Sequence, residues 1–224
     1  MFDPKQLLDQ FLGGNAGRAL GQAGSQAKAA LDQVAARTPG GYGGMAAAGG
    51  VLALLLGSKG IGNVVRYGGA AALGALAWRA LQQHQGAAPQ SAAPVPPAFL
   101  PGAAPAASGE AFELTLVRAM IGAAKADGHV DGDEQKRIFD AVERMGLDAA
   151  AKGFVFDALN APVDPAAIAA AATTREQAAQ LYLASRMAID PDQPIERAYL
   201  DALVQRLGLP DDLVLQLDRQ LAGS

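Results

Sequence analysis

The 224-residue sequence contains no cysteine, only two histidines, and aromatic residues at just 5% of the total. Without thiols there is no disulfide framework, no thiol nucleophile and no thiolate-held zinc or iron–sulfur centre, and the compartment is left open between cytoplasm and periplasm. His84 and His129 are the sole imidazole ligands or bases. Basic residues are sparse as well: 18 Lys and Arg stand against 22 Asp and Glu, spread thinly. Phosphate recognition needs clustered basic groups, so a nucleic-acid partner is not expected. There is no Gly-x-Ser-x-Gly elbow, Walker loop, His-Glu-x-x-His helix or Rossmann glycine run. The expectation is therefore a non-enzyme, with no catalytic residue and no organic cofactor. His129, between Asp127 and Asp131, has the chemistry of a base but no nucleophile beside it in sequence.

What is present is unevenly distributed. Residues 1–85 carry a net charge of +4, and residues 86–224 carry −8. Such asymmetry points to an anionic surface for the front and a soluble acidic domain behind. By length the chain is one ordinary domain with about a hundred residues left over, or two small ones.

Phe2, Leu7, Leu8, Phe11 and Leu12 share one face of a short helix, and Gly13, Gly17 and Gly21 then recur every fourth residue. This predicts an amphipathic surface helix and a glycine-striped helix over 1–38. Asp3 and Asp9 argue against a cleavable signal. Between Arg37 and Lys59 lie 21 uncharged residues, enough as a helix to cross about 30 Å of hydrocarbon. Seven of the 21 are glycine, and only Val51 to Leu56 is strongly apolar. A second apolar stretch, Tyr67 to Trp78, is too short to cross alone. Residues 39–85 thus form a Gly-rich membrane region in one of three ways: a single span at about 40–58 with an interfacial continuation, a helical hairpin, or a soluble Ala/Gly helix pair. Tyr67 beside Arg66 and Trp78 beside Arg79 favour the first, as interfacial anchors. Gly40-x-x-x-Gly44 adds a small-residue pair suited to self-association as a homo-oligomer. Charge flanking the span does not orient it.

No Asp, Glu, Lys or Arg occurs from Ala80 to Gly109, and residues 86–109 contain Pro89, Pro94, Pro96, Pro97, Pro101 and Pro105. Dense proline forbids helix and favours extended chain, which predicts a linker holding the following domain away from a bilayer.

Residues 110–224 read as seven helices and no strand. The start and stop signals are Ser108, Asp131 with Gly146, Asp148 with Asn160, Asp164-Pro165, Thr174 with Gln177, Pro194 with Gly208, and Pro210-Asp211-Asp212. Two helix pairs repeat at a 62-residue offset: Ile138, Val142 and Met145 map onto Leu200, Val204 and Leu207. Packed against Leu116, Val117, Met120, Ile121 and Leu181, Tyr182, Met187, Ile189, these stripes predict a pseudo-twofold helical bundle.

Each pair turns on acidic residues: Asp127, Asp131, Asp133 and Glu134 in the first, Asp190, Asp192 and Glu196 in the second. Seven carboxylates brought together by the pseudo-twofold would recruit a cation, and oxygen-only ligation selects calcium or magnesium. Asp127, His129, Asp131 and Gly132 fit positions one, three, five and six of a calcium loop, but position twelve, where a bidentate Glu is needed, is Ile138, so an EF-hand is not expected. Capping alone also accounts for Asp131, Glu134 and Glu196, which stand where helix starts need acidic groups.

The segments LLLGSKG, YGGAAALGALAWRA, RAMIGAAKADGHVDGDE and YLASRMAIDPDQPIERAYLDALVQRLGLP together resemble the YebE-like inner-membrane proteins of Gram-negative bacteria. Their C-terminal domain is similar to the all-helical tellurite-resistance TerB fold. The resemblance implies an inner (plasma) membrane protein of uncharacterised role, loosely linked to stress and metal-oxyanion responses, with Asp127, Asp131, Glu134, Asp190 and Glu196 as the matching metal or partner positions. The functional expectation is a membrane-anchored module that binds a metal or a protein partner through the acidic turns. A structural membrane oligomer with the acidic domain as a soluble cap is the alternative.

Overall fold

A computed structural model describes residues 2–12, 70–86, 94–126, 147–189 and 191–223. Among them are eight α-helices, one 3-10 turn and no strand: α1 (Pro4–Phe11), α2 (Ala70–His84), the 3-10 turn Pro97–Phe99, α3 (Phe112–Ala124), α4 (Ala149–Asn160), α5 (Pro165–Ala170), α6 (Arg175–Ala188), α7 (Pro194–Leu207) and α8 (Asp211–Gly223). The described residues are all-helical, as the sequence predicts.

Local chemistry explains the starts. Asp148 accepts from the Ala151 amide at 2.8 Å, Asp164 from Ala166 and Ala167 at 2.9 and 3.1 Å, and Thr174 from Gln177 at 3.2 Å. Each side chain satisfies amides that a helix leaves without partners. Gly208 ends α7 at φ 63°, a left-handed conformation that glycine adopts without steric cost, while the Leu209 amide returns to the Val204 carbonyl at 3.3 Å. The signal at Ser108 behaves differently. Its hydroxyl accepts from the Glu110 amide at 3.4 Å in a preceding turn, and α3 begins only at Phe112.

Helix α6 is the axis of the bundle. It packs against α3 most extensively and also against α2, α7 and α8. Leu181 and Leu183 on α6, Met120 and Ile121 on α3, Leu203 on α7 and Leu213 on α8 are all completely buried. Each such side chain stabilises the fold by roughly 1.5–3 kcal/mol relative to exposure. Leu116, Val117, Tyr182, Met187 and Ile189 join this core as expected. On α7 the stripe is rotated from its predicted position: Tyr199, Leu200 and Leu203 are buried, whereas Val204 and Leu207 are half-buried at its margin. At i, i+1 and i+4 these buried residues lie on one flank of α7, a helix that packs chiefly on α5 and also on α6. The partner stripe of the repeat, Ile138, Val142 and Met145, lies outside the described residues, as does the helix expected from Asp131 to Gly146.

Three expectations for the front half change. The first concerns α1, expected on a membrane surface, which instead buries Leu7, Leu8, Phe11 and Leu12 against the bundle, chiefly on α3. An amphipathic helix needs any apolar partner, and here a protein face supplies it. The second concerns the stretch from Tyr67 to Trp78, expected beside a membrane. From Ala70 onward it forms α2, whose Leu73, Leu76, Ala77, Ala80 and Leu81 are buried against α8 and α6. Trp78 faces Phe99 at 5.4 Å between ring centroids rather than standing as an interfacial anchor. The candidate span at 40–58 and the Gly40–Gly44 pair fall outside the described residues; among those described, no helix is long and apolar enough to cross a membrane.

The third concerns the linker. Proline keeps residues 94–109 out of an α-helix, yet they lie flat on the bundle as a strap rather than reaching away from it. Phe99 is 3% exposed. The Gln177 amide nitrogen donates to the Ala104 and Pro105 carbonyls at 3.3 and 3.0 Å, and the Ala107 amide to the Ala171 carbonyl at 2.9 Å. Strap and α2 meet so closely that a Cβ at Gly74 would fall 2.0 Å from the Phe99 carbonyl oxygen.

Candidate functional site

Of the seven carboxylates expected to converge, Asp127, Asp131, Asp133, Glu134 and Asp190 lie outside the described residues; Asp192 and Glu196 lie within them. Pro194 opens α7, Glu196 falls in its first turn, and the Glu196 carboxylate accepts from the Gln193 amide at 3.3 Å. Arg197 folds back over the same turn, donating to the Pro191 and Asp192 carbonyls at 2.9 Å each. This turn is thus closed by its own side chains, with a guanidinium beside its acidic residues. No group of three or more His, Asp or Glu side chains with metal-holding geometry occurs among the described residues.

The described residues hold polar groups that the sequence alone did not single out. At the foot of α2, a carboxylate oxygen of Asp212 stands 3.0 Å from His84 Nδ1, and a guanidinium nitrogen of Arg175 stands 2.9 Å from Nε2. Arginine only donates, so Nε2 accepts, while Nδ1 lies close to the Asp212 carboxylate without making a hydrogen bond to it. Three helix ends, those of α2, α6 and α8, meet at these side chains. The only signal of this cluster in the sequence is the scarcity of histidine.

Lys125 follows α3 and points its ammonium at the carbonyls of Leu159 and Ala161, the latter at 2.6 Å, where α4 ends. A cation there meets the negative end of the helix dipole. Partial burial lowers the lysine from its ordinary value near 10.5. On α6 the Tyr182 hydroxyl donates to Asp218 at 2.9 Å, and Arg186 stands 3.5 Å from the same carboxylate oxygen. Burial first and the Asp218 charge second push Tyr182 well above the usual phenol range. Tyr199 is pushed up to about 12, mainly by burial and partly offset by the nearby Ser185 hydroxyl. Neither phenol ionises near neutral pH, and both act as packing groups with a polar tip.

The described residues form an all-helical bundle with polar contacts between its helix ends. Residues 41–221 match the model of the family described as protein of unknown function, DUF533. The chain belongs to that family. It is also similar, at 35% identity over 98 residues, to a protein of Yersinia enterocolitica described as an uncharacterized protein in the ampR 5' region; the match covers 44% of this chain and 70% of that one. No solved structure matches the chain.

Proposed function

We propose that this chain is a non-enzymatic, TerB-like envelope module: a helical bundle kept at the inner membrane by the Gly-rich region after Arg37 and offering its acidic C-terminal half to a protein partner. One observation carries the proposal. Helices α1 and α2, which flank residues 13–69, touch one another and pack on the same bundle. Attachment through the uncharged residues 38–58 therefore has to leave the bundle and return on one side. A lone crossing would separate helices that are in contact. The engagement of Glu196 with Gln193, and of Arg197 with the turn, supports a protein partner over a divalent ion at that turn.

The absence of cysteine makes the test direct. Asp9→Cys and Gln220→Cys are introduced singly into the full-length chain, and membrane vesicles of one orientation are treated with a maleimide that does not cross lipid. Both cysteines are expected to label, or to be protected, together. Opposite labelling would overturn the same-side arrangement, and full-length protein left in the supernatant after sedimentation of untreated membranes would overturn attachment itself. Val51→Asp with Leu54→Asp is expected to release an otherwise sedimenting protein.

A further inference from the structure

We propose that the groove under the strap, formed by α2, α6 and the end of α5, is a binding site for an extended Pro-rich segment of another protein, and that the strap is its tethered occupant, which such a segment displaces. The strap itself shows what the groove reads. Pro96 and Leu100, at φ -58°, ψ 148° and φ -84°, ψ 149°, hold the polyproline II conformation on either side of the Pro97–Phe99 turn. Between them the Phe99 ring packs on Trp78 at 5.4 Å between centroids, and the Phe99 carbonyl oxygen takes the space that a Cβ at Gly74 would need. Pro-rich ligands dock in aromatic-lined grooves in this way, because their backbone is already extended and loses little entropy on binding.

Two features mark the strap as an occupant open to exchange. Of residues 94–109 only Phe99 and Ala106, seven positions on, are buried, and most of the others are exposed. The bonds that tie the strap to the bundle go to its backbone, from Gln177 to the Ala104 and Pro105 carbonyls and from the Ala107 amide to the Ala171 carbonyl. A backbone contact is indifferent to the side chain beside it, so another segment with an aromatic residue and, seven positions later, a small one meets the same groove. Gly86 at φ 76° and Gly109 at φ 80° bracket the segment, and at both the chain turns without the steric cost that a side chain would impose.

The strap also satisfies the groove incompletely. The indole nitrogen of Trp78, which only donates, is buried without an acceptor among the described residues. A gap of about 20 Å³, the space of one water, remains where Leu100, Pro101 and Gly102 pass over Leu8, Phe112 and Leu116. A segment that brings a carbonyl to Trp78 and a larger apolar side chain to the gap gains contacts that the strap lacks. In the intact chain the strap is held at high effective concentration, and the apparent affinity for a free segment falls with the fraction of molecules whose groove is open. The groove uses none of the residues of the second acidic turn and needs no membrane attachment.

The test uses the full-length wild-type chain, Phe99→Ala, and the milder Phe99→Leu, which keeps the core filled should Phe99→Ala fail to fold. The probe is a synthetic peptide of residues 94–107. Trp78 is the only tryptophan and the peptide has none, so its emission reports on the groove directly. Loosening the strap is expected to tighten binding: the peptide should shift Trp78 emission to the blue in both variants, with a Kd lower than that of the wild-type chain by about tenfold or more. A peptide whose phenylalanine is replaced by alanine should give no shift. Gln177→Met combined with Phe99→Leu should weaken binding roughly fivefold, the loss of about one net hydrogen bond. No shift in either Phe99 variant at millimolar peptide, equal affinity in wild type and variants, or an equal response to the alanine peptide would each overturn the proposal. A wild-type dimer that the peptide dissolves would make the strap of a second copy the occupant and overturn a separate partner. Asp192→Asn with Glu196→Gln is expected to leave the peptide affinity of Phe99→Leu unchanged, and a loss there would overturn the placement of the site in this groove.

Discussion

Helix α2 and the strap of residues 94–109 come from closely related sequence, both rich in alanine and poor in charge, and both lie on the same bundle. They are held there in opposite ways. Helix α2 satisfies its backbone internally and presents Leu73, Leu76, Ala77, Ala80 and Leu81 as one apolar face. The strap, interrupted by proline, leaves carbonyls and amides without internal partners, and the bundle supplies them through Gln177 and Ala171. One is fixed by area, the other by a few directional bonds and one aromatic anchor.

The largest expected effect falls on that anchor. Phe99→Ala should cost about 3–5 kcal/mol if the strap is an integral part of the folded unit. Chemical denaturation would measure it, and a red shift of Trp78 emission should accompany the loss, since the indole packs on the Phe99 ring. A cost below about 1 kcal/mol would mean that the strap detaches without consequence for the bundle.

Gly74→Ala probes the seam between the two regions. The added methyl group meets backbone rather than a flexible side chain, so overpacking should destabilise by about 1–3 kcal/mol. A neutral or stabilising result, as the better helix propensity of alanine alone would give, would show that the strap yields.

The smallest effect is expected at the polar latch. Gln177→Met keeps much of the volume and removes the bonds to Ala104 and Pro105, which stand near enough to solvent for water to take over. A net loss of about 1 kcal/mol is expected, together with faster amide exchange at Ala107. Unchanged exchange there would show that the apolar contacts of the strap hold it unaided.

Helix boundaries were written in local chemistry. Asp148, Asp164-Pro165, Thr174, Pro194 and Gly208 each act within four residues of their own position, so no knowledge of the rest of the fold was needed to read them. The location of the strap required more. Proline states which backbone conformations are closed to a chain but not what the chain lies against. Phe99, an isolated aromatic in a stretch of Ala and Pro, was the one hint of an anchor.

The same limit applied to α1 and α2. An apolar face of Leu and Phe, or of Leu and Ala, fits lipid and protein equally well, and composition does not distinguish the two. Of the acidic turns, the capping geometry of Glu196 was legible from its register behind Pro194. The burial of Glu113 was not: a lone Glu ahead of Leu114, Thr115, Leu116 and Val117 looks like the ordinary acidic start of a helix until the strap is placed over it.

The pairing of α2 with α8 also sets an order in time. The apolar face of α2 finds its most extensive partner in the helix that begins at Asp211, 127 residues after His84. At 5–20 residues per second, translation takes roughly 6–25 s to bring that partner out. Throughout that interval Leu73, Leu76 and Leu81 have no finished surface to rest on. The newborn chain is therefore exposed to capture by chaperones or by other nascent chains, and a ribosome that stops before Asp211 leaves the bundle open along that face.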